Sequence, residues 1–322
     1  MLTRRRITMA AAALLAASPA RAQGAWPGKP IRWIVNFPPA GAADILSRTL
    51  AEYYGNRLGQ PIVVENKPGA GGMLGADIVA KGRGDQYLVM MSSAASHGIG
   101  PVLYKDVPYD PLADFTHIHL VGTFPTVLAV KADSAIKSLG DLVAMAKAKP
   151  GEVTYGSGGN GTMNHLTGQV LARAAGIQLT HVPYRGSAPA MNDLLGGQIV
   201  ALMESLPTAI GYFTSGRMRP LAVSEDVRSP SLPDVPTFRQ AGVDVVTTNW
   251  FGFSGPAGLP PDLVKRWETE TGTALGSDQV RQAFARIGVR PGTLDAAGYT
   301  ALVRSELARW KEVIVAANIK VD

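Results

Sequence analysis

The chain has 322 residues, of which 46% are hydrophobic and 17% are charged, a balance typical of a folded globular protein. Its 31 basic and 25 acidic side chains give a net charge of +6. Four of the arginines and none of the acids lie in the first 22 residues, so the rest of the chain carries 27 basic and 25 acidic groups. A nucleic-acid-binding face is therefore not indicated. Because the chain has no cysteine, disulfides, thiolate zinc sites and cysteine nucleophiles are excluded.

The N-terminus has the three parts of a secretory signal peptide. Residues 1–6 are basic, residues 7–17 form an apolar run, and Ala20-Arg21-Ala22 matches a cleavage site that would leave Gln23 as the new N-terminus. The apolar run is too short for the ~20 residues that span a bilayer. We therefore predict a signal peptide over residues 1–22 and a periplasmic protein. The three consecutive arginines fit both the general and the twin-arginine export route.

Strands and helices alternate from residue 31 onward. The hydrophobic pattern predicts, in order, a strand at 31–35, a helix at 43–57, a strand at 61–65, a helix at 73–81 and a strand at 87–91. A βαβαβ order of this kind predicts a mainly parallel sheet with helices on both faces.

The same alternation resumes further along the chain. The predicted elements are a strand at 127–130, a helix at 139–148, a strand at 153–155, a helix at 163–175, a strand at 181–184, a helix at 188–195, and strands at 199–203 and 221–223. Residues 261–317 are predicted to be helical apart from a break at 290–292.

The two alternating regions predict two α/β units with a cleft between them. Because no low-complexity linker separates the units, we predict two short crossovers, near residues 124–130 and 250–256. The C-terminal helices are expected to return to the first unit. The predicted domains are therefore residues 23–126 with 251–322, and residues 127–250.

A glycine-rich loop follows the predicted strand at 153–155. Gly156 to Gly161 formally fits the dinucleotide-binding pattern G-x-G-x-x-G, but no Asp or Glu lies between Glu152 and Asp193 to bind a ribose. We therefore predict no cofactor. The loop either presents backbone N–H groups to a small anion at a helix N-terminus or is an unoccupied turn.

A second loop of small residues, Phe37-Pro38-Pro39-Ala40-Gly41-Ala42-Ala43-Asp44, lies in the first unit. The prolines stiffen the end of the strand, and the small side chains leave room for a ligand. Asp44 either caps the following helix or contacts the ligand.

Signatures of catalysis are weak. The G-x-S-x-G pattern of α/β-hydrolases does not occur. His117 and His119 are interpreted as solvated side chains of a strand, and no metal site is predicted. His97 and His165 follow a strand end and the glycine-rich loop, so we expect them near the cleft.

Several stretches of the chain carry a family resemblance. They lie at residues 26–32, 37–41, 58–72, 181–186, 193–198, 232–237 and 250–258. In this order they resemble the Bug family, the solute-binding receptors of tripartite tricarboxylate transporters. One departure is Ala40, where the family usually has a glycine.

The resemblance implies a type II periplasmic binding-protein fold, in which two doubly wound α/β domains joined by two crossovers close on a small carboxylate or dicarboxylate. It also implies delivery of the ligand to membrane permease subunits, and a ligand carboxylate held largely by main-chain amides and ordered water. We expect a monomer without catalytic activity. A periplasmic hydrolase or isomerase acting on a small organic acid through His97 or His165, and a solute-sensing module for a membrane signalling partner, are the alternatives.

The candidate ligand-binding residues come from the two loops, the helix that follows each loop, and the polar ends of three further strands. Glu204 either recognises an amino or hydroxyl group of the ligand or lies on the surface beside the hinge. The candidates are Phe37, Pro38, Ala40, Gly41, Ala42, Ala43, Asp44, Ser92, Ser96, His97, Ser157, Gly158, Asn160, Gly161, Thr162, His165, Tyr184, Glu204 and Ser205.

Overall fold

The computed structural model describes residues 26–317 and Ile319. The predicted signal peptide over residues 1–22 and its cleavage site lie outside the described residues. Among the described residues, none of the helices combines the length and the apolar character that crossing a membrane requires.

The strands of the described chain belong to two sheets. In chain order they are β1 (Ile31–Val35), β2 (Ile62–Asn66), β3 (Leu88–Ser93), β4 (Phe115–Phe124), β5 (Thr126–Lys131), β6 (Thr154–Ser157), β7 (Thr180–Pro183), β8 (Ala201–Ser205), β9 (Met218–Val223), β10 (Asn249–Pro256) and β11 (Arg290–Pro291).

Helices fill most of the connections between these strands. They are α1 (Ala42–Leu58), α2 (Met73–Ala80), α3 (Gly100–Leu103), α4 (Leu139–Ala148), α5 (Met163–Ala175), α6 (Ser187–Leu195), α7 (Leu206–Thr214), α8 (Pro261–Gly276), α9 (Asp278–Arg286) and α10 (Ala296–Ala316). A 3₁₀ turn (Ala70–Gly72) precedes α2, and a π-helical turn (Ala94–Ile99) follows β3.

The first sheet has the strand order β11-β4-β10-β3-β1-β2. Successive residues of β1 point to opposite faces, as the pleat requires. Trp33 packs with Tyr54 of α1 and Trp267 of α8 on one face, whereas Ile34 packs with Val79 of α2 on the other. The C-terminal helices α8 and α9 thus contribute to the core of the first sheet.

The second sheet has the order β7-β6-β8-β5-β9. Helices α4 and α5 cover one face through Leu142 and Leu171, and α6 covers the other through Met191 and Leu194. Each sheet therefore has helices on both faces, as the sequence predicts.

The expectation of mainly parallel sheets is wrong. β1 is parallel to β2 and β3, but β10 lies antiparallel between β3 and β4. In the second sheet, β6 is parallel to β7 and β8, whereas β5 is antiparallel to β8 and β9. Both sheets are mixed because the strand that enters the second sheet and the strand that returns to the first are inserted antiparallel to their neighbours.

The chain passes between the sheets at two neighbouring points. Pro125 alone separates β4 from β5, at the start of the range predicted for the first crossover. The second crossover was predicted at residues 250–256, which is wrong because those residues belong to β10. The return lies just before Asn249, where the Thr247 N–H donates to the Ser224 carbonyl and the Ser224 hydroxyl donates to the Thr247 carbonyl.

An ion pair joins the two units beside these crossovers. Arg290 of β11 lies 2.6 Å from the carboxylate of Glu225, which follows β9 and is buried. The crossovers and this ion pair fix the side of the cleft where the units are connected.

Candidate functional site

The ends of strands from both sheets enclose a cavity of about 90 Å³. That volume can hold several water molecules or a small organic acid. Its walls are strand-to-helix junctions, which are the loops after β1, β3, β6, β7 and β8. The candidate residues that line it are Phe37, Pro38, Gly41, Ala42, Ala43, Gly158, Thr162, Glu204 and Ser205.

Helix α1 begins at this cavity without a side-chain cap. Its N-cap residue is Gly41, and Ala42 and Ala43 form the start of its first turn. The first N–H groups of a helix have no partner within the helix, and the helix dipole adds partial positive charge at that end. The start of α1 therefore offers donors to an anion in the cavity.

Asp44 faces away from the cavity and braces the loop. Its carboxylate accepts hydrogen bonds from the Ala40 N–H at 3.1 Å, from Arg48 at 3.0 Å and from Asn66 at 2.9 Å. Burial alone would raise the pKa of Asp44, but these hydrogen bonds and the charge of Arg48 lower it overall. Asp44 thus acts on the loop conformation.

Ala40 occupies a backbone conformation that suits glycine. Its φ is +62°, in the left-handed region, and its side chain is exposed and does not line the cavity. Glycine, which the family resemblance implies at this place, would avoid the backbone strain, because the left-handed region costs an alanine ~1–2 kcal/mol.

A second open helix start lies opposite α1, and the sequence pattern alone does not identify it as part of the site. Helix α6 has Gly186 as its N-cap, with φ +105° and no side-chain cap, and Ser187, Ala188 and Pro189 line the cavity. The signal was present in His181–Gly186, where a short strand ends at a glycine before a helix. The sequence predicts the strand, the helix and a binding role for Tyr184 at the strand end, but it assigns Gly186 only to the family resemblance.

The glycine-rich loop, in contrast, uses most of its donors internally. The Gly159 N–H donates to Ser157 Oγ, and the Gly161 N–H donates to His165 Nδ1 at 3.3 Å. Thr162 caps α5 by accepting the His165 N–H. Within this loop, Gly158 and Thr162 line the cavity, while Ser157, Gly161 and His165 lie behind it.

Glu204 lies on the floor of the cavity and is only 1% exposed, so the surface interpretation is wrong. Its Oε1 accepts the Ser205 N–H at 2.7 Å and an Asn164 N–H at 3.2 Å, whereas its Oε2 has no hydrogen-bond partner among the described residues. Burial raises the pKa of Glu204 to about 7, although Ser205, Ser187 and Asn164 oppose the shift.

The other candidates lie outside the enclosed cavity. Ser92 bonds Ser254 and Tyr299 in the core, and Ser96 bonds His97 at 2.9 Å. All three candidates are fully buried; Ser96 and His97 belong to the π-helical turn itself, of which Ala94 and Ala95 line the cavity instead.

The two histidines of β4, which are expected from the sequence to be solvated, are buried. His117 is 5% and His119 7% exposed, so the expectation of solvated histidines is wrong. His117 is held by the Pro111 carbonyl and Ser254. In the described part of the chain, no three His, Cys, Asp or Glu side chains could hold a metal ion together.

The two units touch across the mouth of the cavity. Tyr104 of the first unit donates a hydrogen bond to the Asn160 carbonyl at 3.2 Å, and a Cβ on Gly186 would approach Pro38 Cγ to 2.8 Å. A more open cavity of about 680 Å³ adjoins this contact and is lined by Asn160 and Tyr184. Exposed Arg185 lines both cavities.

Two α/β units, two adjacent crossovers and an enclosed cavity at the strand ends define a two-domain binding protein of the type II periplasmic fold. Residues 46–319 match the model of the tripartite tricarboxylate transporter family receptor. The chain therefore belongs to this family of solute-binding receptors, and the resemblance to the Bug family is confirmed.

Relatives and solved structures agree with this assignment. BugT of Bordetella pertussis is 36% identical over 291 residues, which cover 90% of this chain and 89% of BugT. An R. palustris protein solved with adipate is 32% identical, with a TM-score of 0.89 over 92% of this chain and 99% of that one. MatC from Rhodopseudomonas palustris, solved with bound malate, is 26% identical, with a TM-score of 0.85 over 90% of this chain and all of MatC.

The conformation of Ala40 leads to a first prediction. Ala40→Gly should raise the free energy of unfolding by up to ~1 kcal/mol, because relief of the left-handed strain exceeds the entropy cost of glycine. Chemical denaturation would measure the change. As a control, Ala308→Gly at an exposed position inside α10 should cost ~0.5–1 kcal/mol. Equal losses in both variants would contradict the strain argument.

A second prediction concerns the stability of the protein at acidic pH. The rings of His165 and His181 stack with centroids 4.2 Å apart. Burial lowers the pKa of His165 to about 4, and burial with the charge of His165 lowers that of His181 to about 3. Below pH 6.5 both histidines become protonated in the unfolded chain but remain neutral in the folded protein down to these lower pKa values. The free energy of unfolding should therefore fall as the pH is lowered from 6.5 towards 3. His181→Gln should show a shallower fall in melting temperature over this range; parallel curves would refute the prediction.

Proposed function

We propose that this receptor captures a small carboxylate between its two units and passes it, chemically unchanged, to the membrane subunits of a tripartite transporter. It works in the periplasm after export. The two moving bodies are the first unit, residues 26–124 with 249–317, and the second unit, residues 126–248.

The observation that carries the proposal is the meeting of two uncapped helix starts at one enclosed cavity. The start of α1 belongs to the first unit and the start of α6 to the second. A carboxylate that bridges them would draw the units together. Charge-assisted hydrogen bonds of this kind contribute ~1.5–3 kcal/mol each, so a few of them can offset the desolvation of one carboxylate.

The related structures support this ligand class. Adipate and malate, found with two of them, are both small carboxylates. Exposed Arg185 at the edge of the cavity adds a positive charge that favours the approach of an anion.

The arrangement of histidines argues against an enzyme that works through His97 or His165. Glu204 and Arg185 are the titratable side chains among the described residues that line the cavity. His97 and His165, the candidates for an enzyme, are buried behind its walls. General acid–base catalysis requires the group to reach the substrate directly or through one water.

Binding and turnover can be measured on the same samples. A panel of organic acids should contain at least one that raises the melting temperature, since a ligand at 100 times its Kd stabilises the folded state by ~2.7 kcal/mol. NMR spectra of that acid after prolonged incubation with the protein should show no new product. A product that forms at a rate proportional to protein concentration would replace this proposal with the hydrolase or isomerase alternative.

The start of α1 provides the mutational test. Ala42 is 6% exposed and lines the cavity, so the side chain in Ala42→Leu would occupy the place of the ligand. Affinity for the stabilising acid should fall at least tenfold, equivalent to ~1.4 kcal/mol. Ala297→Leu is the matched control, because it makes the same change in the first turn of α10 at an exposed position away from the cavity. Unchanged affinity in Ala42→Leu would remove α1 from the site.

A further inference from the structure

The floor of the cavity contains polar atoms that the binding of a carboxylate by α1 and α6 does not use. Glu204 Oε2 is one, since the bonds from Asn164 and Ser205 both go to Oε1, and the nearby hydroxyl of Ser187 is not within hydrogen-bond geometry of Oε2. The hydroxyl of Thr208, in the first turn of α7, is another: its oxygen is buried, lines the same cavity and has no partner among the described residues. Buried polar atoms in native structures normally have partners, so these two atoms point to a ligand.

A chain of hydrogen bonds fixes which oxygen of Glu204 is left for the ligand. Asn249 donates to Thr126 Oγ1 at 2.9 Å and to Asn164 Oδ1 at 3.3 Å, and Thr126 donates to the same Asn164 oxygen at 2.9 Å. Asn164 must therefore present its NH₂ group to Glu204 Oε1. Because Thr126 and Asn249 start the two strands at the crossovers, the orientation of Glu204 is set by the connection between the units.

The cavity thus presents two chemically different sets of groups, which approach each other at Ser187 of α6 beside Glu204. The starts of α1 and α6 offer N–H donors, whereas Glu204 offers an unpaired acceptor and Thr208 a hydroxyl group. At α7, the Ser205 N–H is already bonded to Glu204. A second ionised carboxylate facing Glu204 would meet like charge and would require a shared proton.

We infer that Glu204 and Thr208 form a subsite that selects acids whose far end carries a hydrogen-bond donor, an ammonium or a hydroxyl group, over acids that end in a second ionised carboxylate. This inference rests on the proposed function, because it assumes that the first carboxylate binds at the helix starts. The raised pKa of Glu204, about 7, agrees with a carboxyl group that lacks its partner cation. Binding of an ammonium group would lower that pKa again.

Four acids with the same carboxylate and chain length test the subsite. They are butyrate, 4-aminobutyrate, 4-hydroxybutyrate and succinate, titrated calorimetrically at pH 8. The wild-type protein should bind 4-aminobutyrate at least tenfold more tightly than succinate, with 4-hydroxybutyrate between them.

Glu204→Gln should reverse this order. The glutamine carbonyl would accept the bonds from Asn164 and Ser205, so its NH₂ group would replace Oε2 and donate to a carboxylate. The affinity for succinate should increase at least tenfold relative to that for 4-aminobutyrate, while the affinity for butyrate should change less than threefold. Glu152→Gln, at an exposed position of the same unit, is the matched control and should leave all four affinities unchanged.

Thr208→Val provides an independent variant that does not alter the carboxyl group. It should lower the affinity for 4-hydroxybutyrate and 4-aminobutyrate at least threefold and leave the affinity for butyrate unchanged. The subsite therefore remains testable if Glu204→Gln does not fold. Binding of all four acids with the same order in wild type, Glu204→Gln and Thr208→Val would overturn the subsite and leave the proposed function intact. If no organic acid binds the wild-type protein at all, the proposed function itself fails.

Discussion

The first backbone N–H groups of a helix need hydrogen-bond acceptors from outside the helix. At the starts of α1 and α6 no side chain among the described residues provides one, so the acceptor must come from the cavity. Both helices follow parallel strands, β1 and β7, and chain direction therefore brings both starts to the carboxyl edges of their sheets. Gly41 and Gly186 provide no side chain that could cap these ends. At α5, by contrast, Thr162 supplies the cap, and the surrounding loop is satisfied without a ligand. Water can satisfy these donors on each unit separately, but a carboxylate between the units would satisfy both sets at once, and under the proposed function this would couple binding to closure.

Burial of Glu204 lowers the free energy of unfolding at neutral pH. A carboxyl group whose pKa rises to about 7 destabilises the folded state once it ionises, and this loss grows as pH rises from about 4.5 to 7. Its hydrogen bonds reach Asn164, which is held by Thr126 and Asn249 at the two crossovers. A change in the angle between the units would therefore also disturb the floor of the cavity. Under the proposed function, these side chains would link binding in the cavity to movement at the connected side.

Local signals in the sequence were sufficient for several elements. The bounds of α4 and α5 agree with the predicted 139–148 and 163–175, because each helix starts at a capping residue, Ser138 with its partner Asp141, and Thr162. The place of β10 could not be predicted, since its partners in β3 and β4 lie more than 120 residues earlier and pairing over such a distance leaves no local pattern. Burial of Glu204 was equally hidden, because glutamate is almost always exposed and only the tertiary network around Asn164 shows otherwise. Nine of the nineteen candidate residues line the enclosed cavity, and Asn160 and Tyr184 line the cavity beside it. Strand ends in both units are visible in the sequence, whereas the rotation of each side chain is not.

The two units approach each other closely at the mouth of the cavity, and two positions of the second unit there are glycines for this reason. A Cβ at Gly161 would come within 2.9 Å of the Tyr104 ring, and one at Gly186 would meet Pro38. Both glycines also have positive φ, at +72° and +105°, so a larger residue would carry backbone strain as well as a clash. Pro38 and Gly186 line both the smaller cavity and the more open one beside it. In the proposed function the carboxylate lies between the two units, so the contact between these residues would have to open for each ligand to enter, and opening steps of this kind often limit the rate of ligand exchange.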